Sequence, residues 1–429
     1  MNKFIVDYNI YFKRVCQFAG FDLTEQIIDE NCKRITLDEF NTMEFDDSDL
    51  VILPIFTMHN PSEYSDLYSE FVNKLINQKN YNREKTIIIL GSPREAVTNY
   101  KATHQNIIAF QKLNKQNQKI KIYVTATIDS PDVSKMTSDP HSSVVYMIGA
   151  NSFLQMSKFN FLGDYKDRDG SGQAYLDNTT DLTYASSEEI FEKNIDKIDK
   201  LENRNYLYTM LTRNSKPDRF VNFYNSHRYE VFDKGLVSYS NFNKFSKEKL
   251  IDILNSWRTL PTIDFLNFFD SWKDKPALLI DKYAGRGDNL AFNLEPSHYL
   301  DSYIQVISES HVGDEFIFIT EKTYKSILCG SPFFILGNIN TLNVLRERGF
   351  KTFDKWWDES YDDLYSHWER SKFVFYLLHK LSKLTKNELS KMISEQKEII
   401  IHNRDNLKKL IDNDNYLMDI INYISEVTS

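Results

Sequence analysis

Glu321 and Lys322 stand side by side in the stretch "FIFITEKTYKSILCGSPFFILG", residues 316–337, where an apolar run hands over to a helical pattern. The run Phe316–Ile319 reads as a strand that delivers Thr320 to a helix N-cap, so the acid and the base fall in the first helical turn. A helix N-terminus presents free N–H groups and the positive end of the helix dipole, and so attracts phosphate or carboxylate. A carboxylate there can accept both hydroxyls of a ribose, and a lysine can set a point charge against a diphosphate. Thr followed by an acid is also ordinary capping chemistry, and spacing alone favours that reading.

Three further stretches carry polar groups at the places where α/β sheets put ligands. "VISESH" (306–311) is a strand pattern ending in Glu309, Ser310 and His311, at the carboxyl end where such sheets hold ligands. "LTRNSKPDRFVNFYNSHRYEVFDKGLVS" (211–238) sets Arg213, Lys216 and Arg219 between a strand and a helix start, and guanidinium forks suit phosphate oxygens. "DKYAGRGDNLAF" (281–292) brackets Arg286 with Gly285 and Gly287, a turn that closes over a ligand or simply connects two elements. In the first half, Glu95 in "GSPREA" and Asp129 in "ATIDSPD" follow strand patterns and are the choices for a general base. Each of these groups, taken singly, also reads as solvated loop or helix-surface charge.

The elements that must position these residues alternate between strand and helix. In the first half, "DLVILPIF" (49–56), "KTIIILGSP" (85–93), "IKIYVTATIDSPD" (120–132) and "SSVVYMIGA" (142–150) read as strands at helix-sized spacing. That pattern calls for parallel α/β units. The second half repeats it with strands at 204–212, 235–240, 277–281, 302–310 and 332–337, and helices at 217–227 and 341–350. Helical patterns then run from Leu364 to about Ile424. The expected architecture is two α/β domains facing each other, with the C-terminal helices packing across. Its boundaries are an acceptor-side domain over 1–162, an Asp/Gly/Ser/Thr-rich connection with a charged helix over 163–202, a donor-side domain over 203–380, and terminal helices over 381–429.

Composition sets the limits. The chain has 429 residues, 41% hydrophobic and 26% charged, which fits a globular protein of two domains rather than a disordered one. The N-terminal "MNKFIVDYNIYFKRVCQFAG" scatters charges through its apolar residues and so does not read as a signal peptide, and no run approaches the ~20 apolar residues of a membrane span. Cys16, Cys32 and Cys329 are too far apart for a disulfide framework or a zinc site, and a cytoplasmic setting is expected. The formal net charge of -9 hides local patches: Arg204 to Lys249 holds nine Lys/Arg against four Asp/Glu, while Lys351 to Arg370 holds three against six. There is no phosphate-binding P-loop, dinucleotide fingerprint, HExxH helix or nucleophile elbow, and no Asp-x-Asp after a strand to hold a metal on a sugar-nucleotide diphosphate.

In order, "KPDRFVNFYNSHRYEVFDKG", "SYIQVISESH" and "FITEKTYKSILCGSPFFILG" resemble the donor-binding half of the α-1,3-fucosyltransferases, metal-independent enzymes of the GT-B fold with two Rossmann-like domains. The resemblance covers roughly residues 204–340. The stretch "GFKTFDKWWDESYDD" (349–363) also looks like uncharacterised phage-encoded glycosyltransferase-like proteins. The resemblance implies that Glu321 binds the ribose, that Lys322 and Arg219 hold the diphosphate, and that Glu309 lies near the donor sugar, where it is also a catalytic candidate; Thr320, Arg213 and His311 are further donor-binding candidates read from their positions in the sequence. In the family the strand ends in Glu-Asn, whereas here Ser310 and His311 follow Glu309, so the donor base and sugar stay open.

The function expected is transfer of a sugar from a UDP- or GDP-linked donor to a hydroxyl, with no metal and no other cofactor. Arg, Lys and a helix N-terminus would neutralise the leaving diphosphate. The phage-like ending suggests a hydroxymethylated base in double-stranded DNA as acceptor, in a host cytoplasm and away from any membrane. The alternatives are a carbohydrate or protein acceptor, or a non-catalytic nucleotide- or sugar-binding structural protein.

Overall fold

The computed structural model describes residues 3–7, 32–45, 49–56, 86–92, 121–126, 145–149 and 186–413, apart from 213–214, 240–241, 243, 279, 281–293, 311 and 314–316. The chain divides into two compact units, Met1–Met156 with Asp414–Ser429, and Ser157–Asn413. Each unit has its own open parallel sheet, and the class is α/β, as the strand–helix alternation predicts.

The first unit carries β1 (Lys3–Asp7), β2 (Cys32–Thr36), α1 (Leu37–Thr42), β3 (Leu50–Phe56), β4 (Thr86–Ser92), β5 (Lys121–Ala126) and β6 (Val145–Gly149). The order is β2-β1-β3-β4-β5-β6, every pair parallel. Four of these strands are the apolar runs expected from the sequence. The other two are not, for a physical reason: β1 is five residues inside a charge-studded stretch, and β2 ("CKRIT") is an edge strand, where charge is tolerated and protects against stray pairing. A capping box closes the start of α1, with Glu39 N–H to Thr36 Oγ1 at 3.2 Å and Thr36 N–H to Glu39 Oε2 at 2.7 Å.

The second unit runs α2 (Ser187–Asp199), β7 (Tyr206–Thr212), α3 (Pro217–Arg228), β8 (Gly235–Tyr239), α4 (Lys247–Ser256), α5 (Ile263–Trp272), α6 (Pro296–Leu300), β9 (Ser302–Ser308), α7 (Glu321–Leu328), β10 (Phe333–Leu336) and α8 (Thr341–Glu347). It closes with α9 (His367–Leu381), α10 (Lys386–Glu395) and α11 (Lys397–Asn413). The sheet order is β10-β9-β7-β8, all parallel. Both β9 and β10 are buried along their whole length, as strands covered on two faces must be. From β7 the chain steps one way to β8, and from β9 it steps the other way to β10. Right-handed crossovers therefore put α3 and α7 on opposite faces of the sheet.

Each face has its own packing. On the α3 side, Phe220 and Phe223 meet Tyr239, Phe265, Phe269 and Phe242 at centroid distances of 5.2 to 6.2 Å, and α9 docks through Asn225 Nδ2 to Ser371 Oγ at 3.0 Å. On the α7 side, Asn194 of α2 donates to the carbonyls of Cys329 and Gly330 at 2.9 and 2.8 Å, and α11 packs against α7.

Two expectations change. Residues 317–319 form no strand; Phe318 and Ile319 are buried in the segment that leads into α7. Of the described residues in the 277–281 run, Leu278 makes an isolated antiparallel bridge to Tyr239. The closing helical patterns appear as three helices through Asn413, separated at Thr385, which caps α10, and at Gln396. Among the described residues no helix is long and apolar enough to cross a membrane.

Candidate functional site

The carboxyl ends of β7 and β9 lie side by side, and the chain leaves them in opposite directions. Such a reversal opens a crevice at the strand ends, the place where open parallel sheets hold ligands. Two helices start at it. The first, α3, opens from Lys216 as N-cap with Pro217 in the first position, where its missing N–H costs nothing. The second, α7, opens from Thr320, whose hydroxyl accepts from Lys322 N–H.

Glu309, the first residue past β9, is fully buried, and both its carboxylate oxygens accept internal hydrogen bonds. Oε1 accepts from Thr320 N–H at 3.1 Å and the Thr323 hydroxyl at 2.6 Å; Oε2 accepts from the Thr320 hydroxyl at 2.5 Å. A carboxyl this deep needs such donors, and here they tie the end of β9 to the first turn of α7. Gly337 lies beside it: a Cβ there would crowd Thr341 Oγ1 at 3.0 Å, while meeting the Glu309 side chain only at ordinary contact distance, 3.5 Å.

Four of the amides around the start of α7 are therefore occupied. Thr320 N–H goes to Glu309, Lys322 N–H to Thr320 Oγ1, and those of Thr323 and Tyr324 to the Thr320 carbonyl. The pull on an anion comes from lysine side chains instead. Lys322 Nζ sits 3.1 Å from Ser310 Oγ, 3.0 Å from Thr320 Oγ1 and 3.0 Å from Glu321 Oε1. From the other helix, Lys216 Nζ donates to the Ser310 carbonyl at 2.7 Å. Ser310 is thus held by an ammonium from each side of the crevice. Burial raises the Glu321 carboxyl, but the Lys322 and Lys325 charges and the Lys322 hydrogen bond outweigh it and hold the group below its ordinary range.

Behind this front stands a neutral layer. Asn222 Nδ2 donates to Ser308 Oγ at 3.0 Å, and His367 Nε2 lies 3.1 Å from Asn222 Oδ1 and 3.3 Å from the Asp218 carbonyl. Burial, with the Arg370 charge adding to it, keeps the His367 imidazole neutral far below its usual pKa, so its Nε2–H is the donor to both oxygens. The Arg370 guanidinium reaches four carbonyls: Leu364 and Tyr365 at 2.6 and 2.8 Å, Val312 at 2.6 Å and Gly337 at 3.0 Å. It fixes the loop after β9 to the end of β10.

Of the residues chosen from sequence, Glu309, Thr320, Glu321 and Lys322 come together, with Lys216 and Ser310 between the two helices. Arg219 is 4% exposed in the first turn of α3. Arg213, His311, Glu95, Asp129 and the Gly285–Arg286–Gly287 turn lie outside the described residues. Sequence reasoning missed Thr323, Asn222, His367 and Arg370. Thr323 carried a signal, being three residues past the cap; for Arg370 the two partners that tie it to the site, Gly337 and Val312, lie 33 and 58 residues away and left no local signal. Among the described residues no cluster of His, Cys, Asp and Glu has the make-up of a metal site.

No protein-family model matches the sequence, and no curated protein matches it. Solved structures similar to the chain include an α,α-trehalose-phosphate synthase (UDP-forming) from Burkholderia vietnamiensis, with a TM-score of 0.39 and 9% identity over 90% of this chain and 75% of that one. An α1,3-fucosyltransferase with GDP-fucose has a TM-score of 0.36 and 11% identity over 97% of this chain and 92% of that one. A trehalose-6-phosphate protein from E. coli bound with UDP-2-fluoro glucose has a TM-score of 0.34 and 10% identity over 88% and 75%. Function is therefore read from the site itself.

Proposed function

We propose that the crevice between β7 and β9 binds the diphosphate of a nucleotide-sugar, and that the chain is a glycosyltransferase acting on a hydroxyl acceptor. The observation that carries this reading is the convergence on Ser310 of Lys216 Nζ at 2.7 Å and Lys322 Nζ at 3.1 Å, from two helices that start at the sheet's point of reversal. Two ammonium groups there, with Arg219 in the same helix start as Lys216, supply the charge that a departing diphosphate needs without a resident metal ion. An arriving diphosphate takes over the Lys322 bonds now made to Ser310 and Thr320. Glu321, held ionised by the lysines, is the acceptor for ribose hydroxyls. Glu309 serves as a positioning residue, because both its oxygens are engaged by Thr320 and Thr323.

Transfer with inversion also needs a base beside the acceptor hydroxyl. In the sequence Glu95 and Asp129 follow β4 and β5 by three residues each, and we assign the base to one of them. A hydroxymethylated DNA base is the acceptor that the sequence resemblance favours. The test is release of free sugar from UDP- and GDP-sugars, with and without hydroxymethylated duplex DNA. Slow hydrolysis of one donor, accelerated by the acceptor, is expected. Binding with no turnover for any donor would leave a nucleotide-binding protein in its place.

A further inference from the structure

Tyr365 is 66% exposed, unusual for a large ring so close to a buried centre. Its backbone is fixed: the carbonyl accepts from Arg370 Nη1 at 2.8 Å, while Nη2 of the same guanidinium holds the Val312 carbonyl at 2.6 Å. One planar group thus ties the Tyr365 backbone to Val312, two positions past Ser310 in the loop after β9. Its neighbour Ser366 is pinned in turn, with Oγ 2.8 Å from Thr259 Oγ1 on the turn after α4.

That turn is shaped for the ring. α4 ends with Thr259 N–H to the Leu254 carbonyl and Arg258 N–H to the Asn255 carbonyl, both at 2.9 Å, a closure that needs a left-handed residue and usually takes glycine. Here the residue is Arg258, at φ 55°. A side-chain-bearing residue is disfavoured in this conformation, and the Arg258 guanidinium carbon lies 5.5 Å from the centroid of the Tyr365 ring. The turn is itself seated against the loop after β9, because Trp257 Nε1 lies where a Cβ on Gly313 would come within 2.7 Å. An exposed aromatic ring with a guanidinium over it and its backbone fixed offers a stacking surface for a flat heterocycle.

We propose that Arg258 and Tyr365 form the platform on which the base of the nucleotide stacks while its phosphates lie at Lys216 and Lys322. The proposal rests on the diphosphate reading of the crevice and adds the residues that tell a nucleotide from a bare phosphate. The base and a flat acceptor ring share this chemistry, and the ligand series separates them.

The experiment is calorimetric titration of the full chain with pyrophosphate, UDP and GDP, repeated on Tyr365→Ala, Tyr365→Trp and Arg258→Gly. The expected result is that one nucleoside diphosphate binds more tightly than pyrophosphate, that Tyr365→Ala weakens it roughly five- to a hundredfold with pyrophosphate unaffected, and that Tyr365→Trp retains it. Arg258→Gly relieves the backbone, so it weakens the nucleotide while leaving the melting temperature equal or higher, which a merely structural role would not produce. If the unaltered chain binds pyrophosphate and both nucleotides equally, or if Tyr365→Ala leaves the nucleotide unchanged, the platform is wrong and the anion site stands. If it binds none of the three, the diphosphate reading falls and takes the platform with it.

Discussion

Glu309 shows how much at this site depends on one buried side chain. Its carboxylate receives two hydroxyls and an amide from the first turn of α7, so truncation strands three donors at once. Glu309→Ala should cost about 3 kcal/mol in chemical denaturation, and a loss below about 1 kcal/mol would mean that the turn holds itself. The same residue marks the limit of reading chemistry from sequence. Its position at a strand's carboxyl end was legible, and so were Thr320, Glu321 and Lys322. Its partners were not, because the bond from Glu309 to Thr323 spans 14 residues and depends on where α7 starts relative to β9. Open helix-terminus amides were the natural expectation for Thr-Glu-Lys; Glu309 and the Thr320 cap take them, and the lysine side chains are left to meet an anion.

Among the elements, the pairing of β7 with β8 rests on a glycine. Gly235 opens β8, and a Cβ there would lie 2.4 Å from Cζ of Tyr208, a fully buried ring on β7. Gly235→Ala should therefore destabilise by about 1–3 kcal/mol through overpacking, measurable as a shifted urea midpoint with an unchanged slope. The outer face of α3 makes a second prediction. His227 stacks on Phe232 at 4.0 Å, and burial, assisted by Lys275 and opposed by Asp233, lowers it to about 4. A depressed histidine is neutral in the folded chain and charges in the unfolded one, so its contribution is complete above about pH 6.5 and lost as pH falls through about 4. Against His227→Phe, the unaltered chain should lose melting temperature as pH drops from 7 to 4; a constant gap would contradict the assignment. Strands β7, β8, β9 and β10 were legible as apolar runs, whereas Phe318 and Ile319 were misread because a buried segment leading into a helix is as apolar as a strand.

The whole molecule carries a formal net charge of -9, yet its candidate site gathers Lys216, Lys322, Lys325 and Arg219 against Glu309 and Glu321. An anionic ligand therefore finds local attraction on a chain that repels it overall, and its affinity should fall as salt rises. Strand–helix alternation made the α/β class and the two parallel sheets readable. The reversal of direction between β7 and β9 was hidden, since it is a property of strand order, and strand order is what creates the site. The most direct measurement is titration of a nucleoside diphosphate, without divalent metal, into the full chain and into Lys216→Ala and Lys322→Ala. Binding that each substitution weakens about tenfold or more, with circular dichroism unchanged, is the result predicted. Equal affinity in all three proteins would contradict the assignment of the crevice as the diphosphate site.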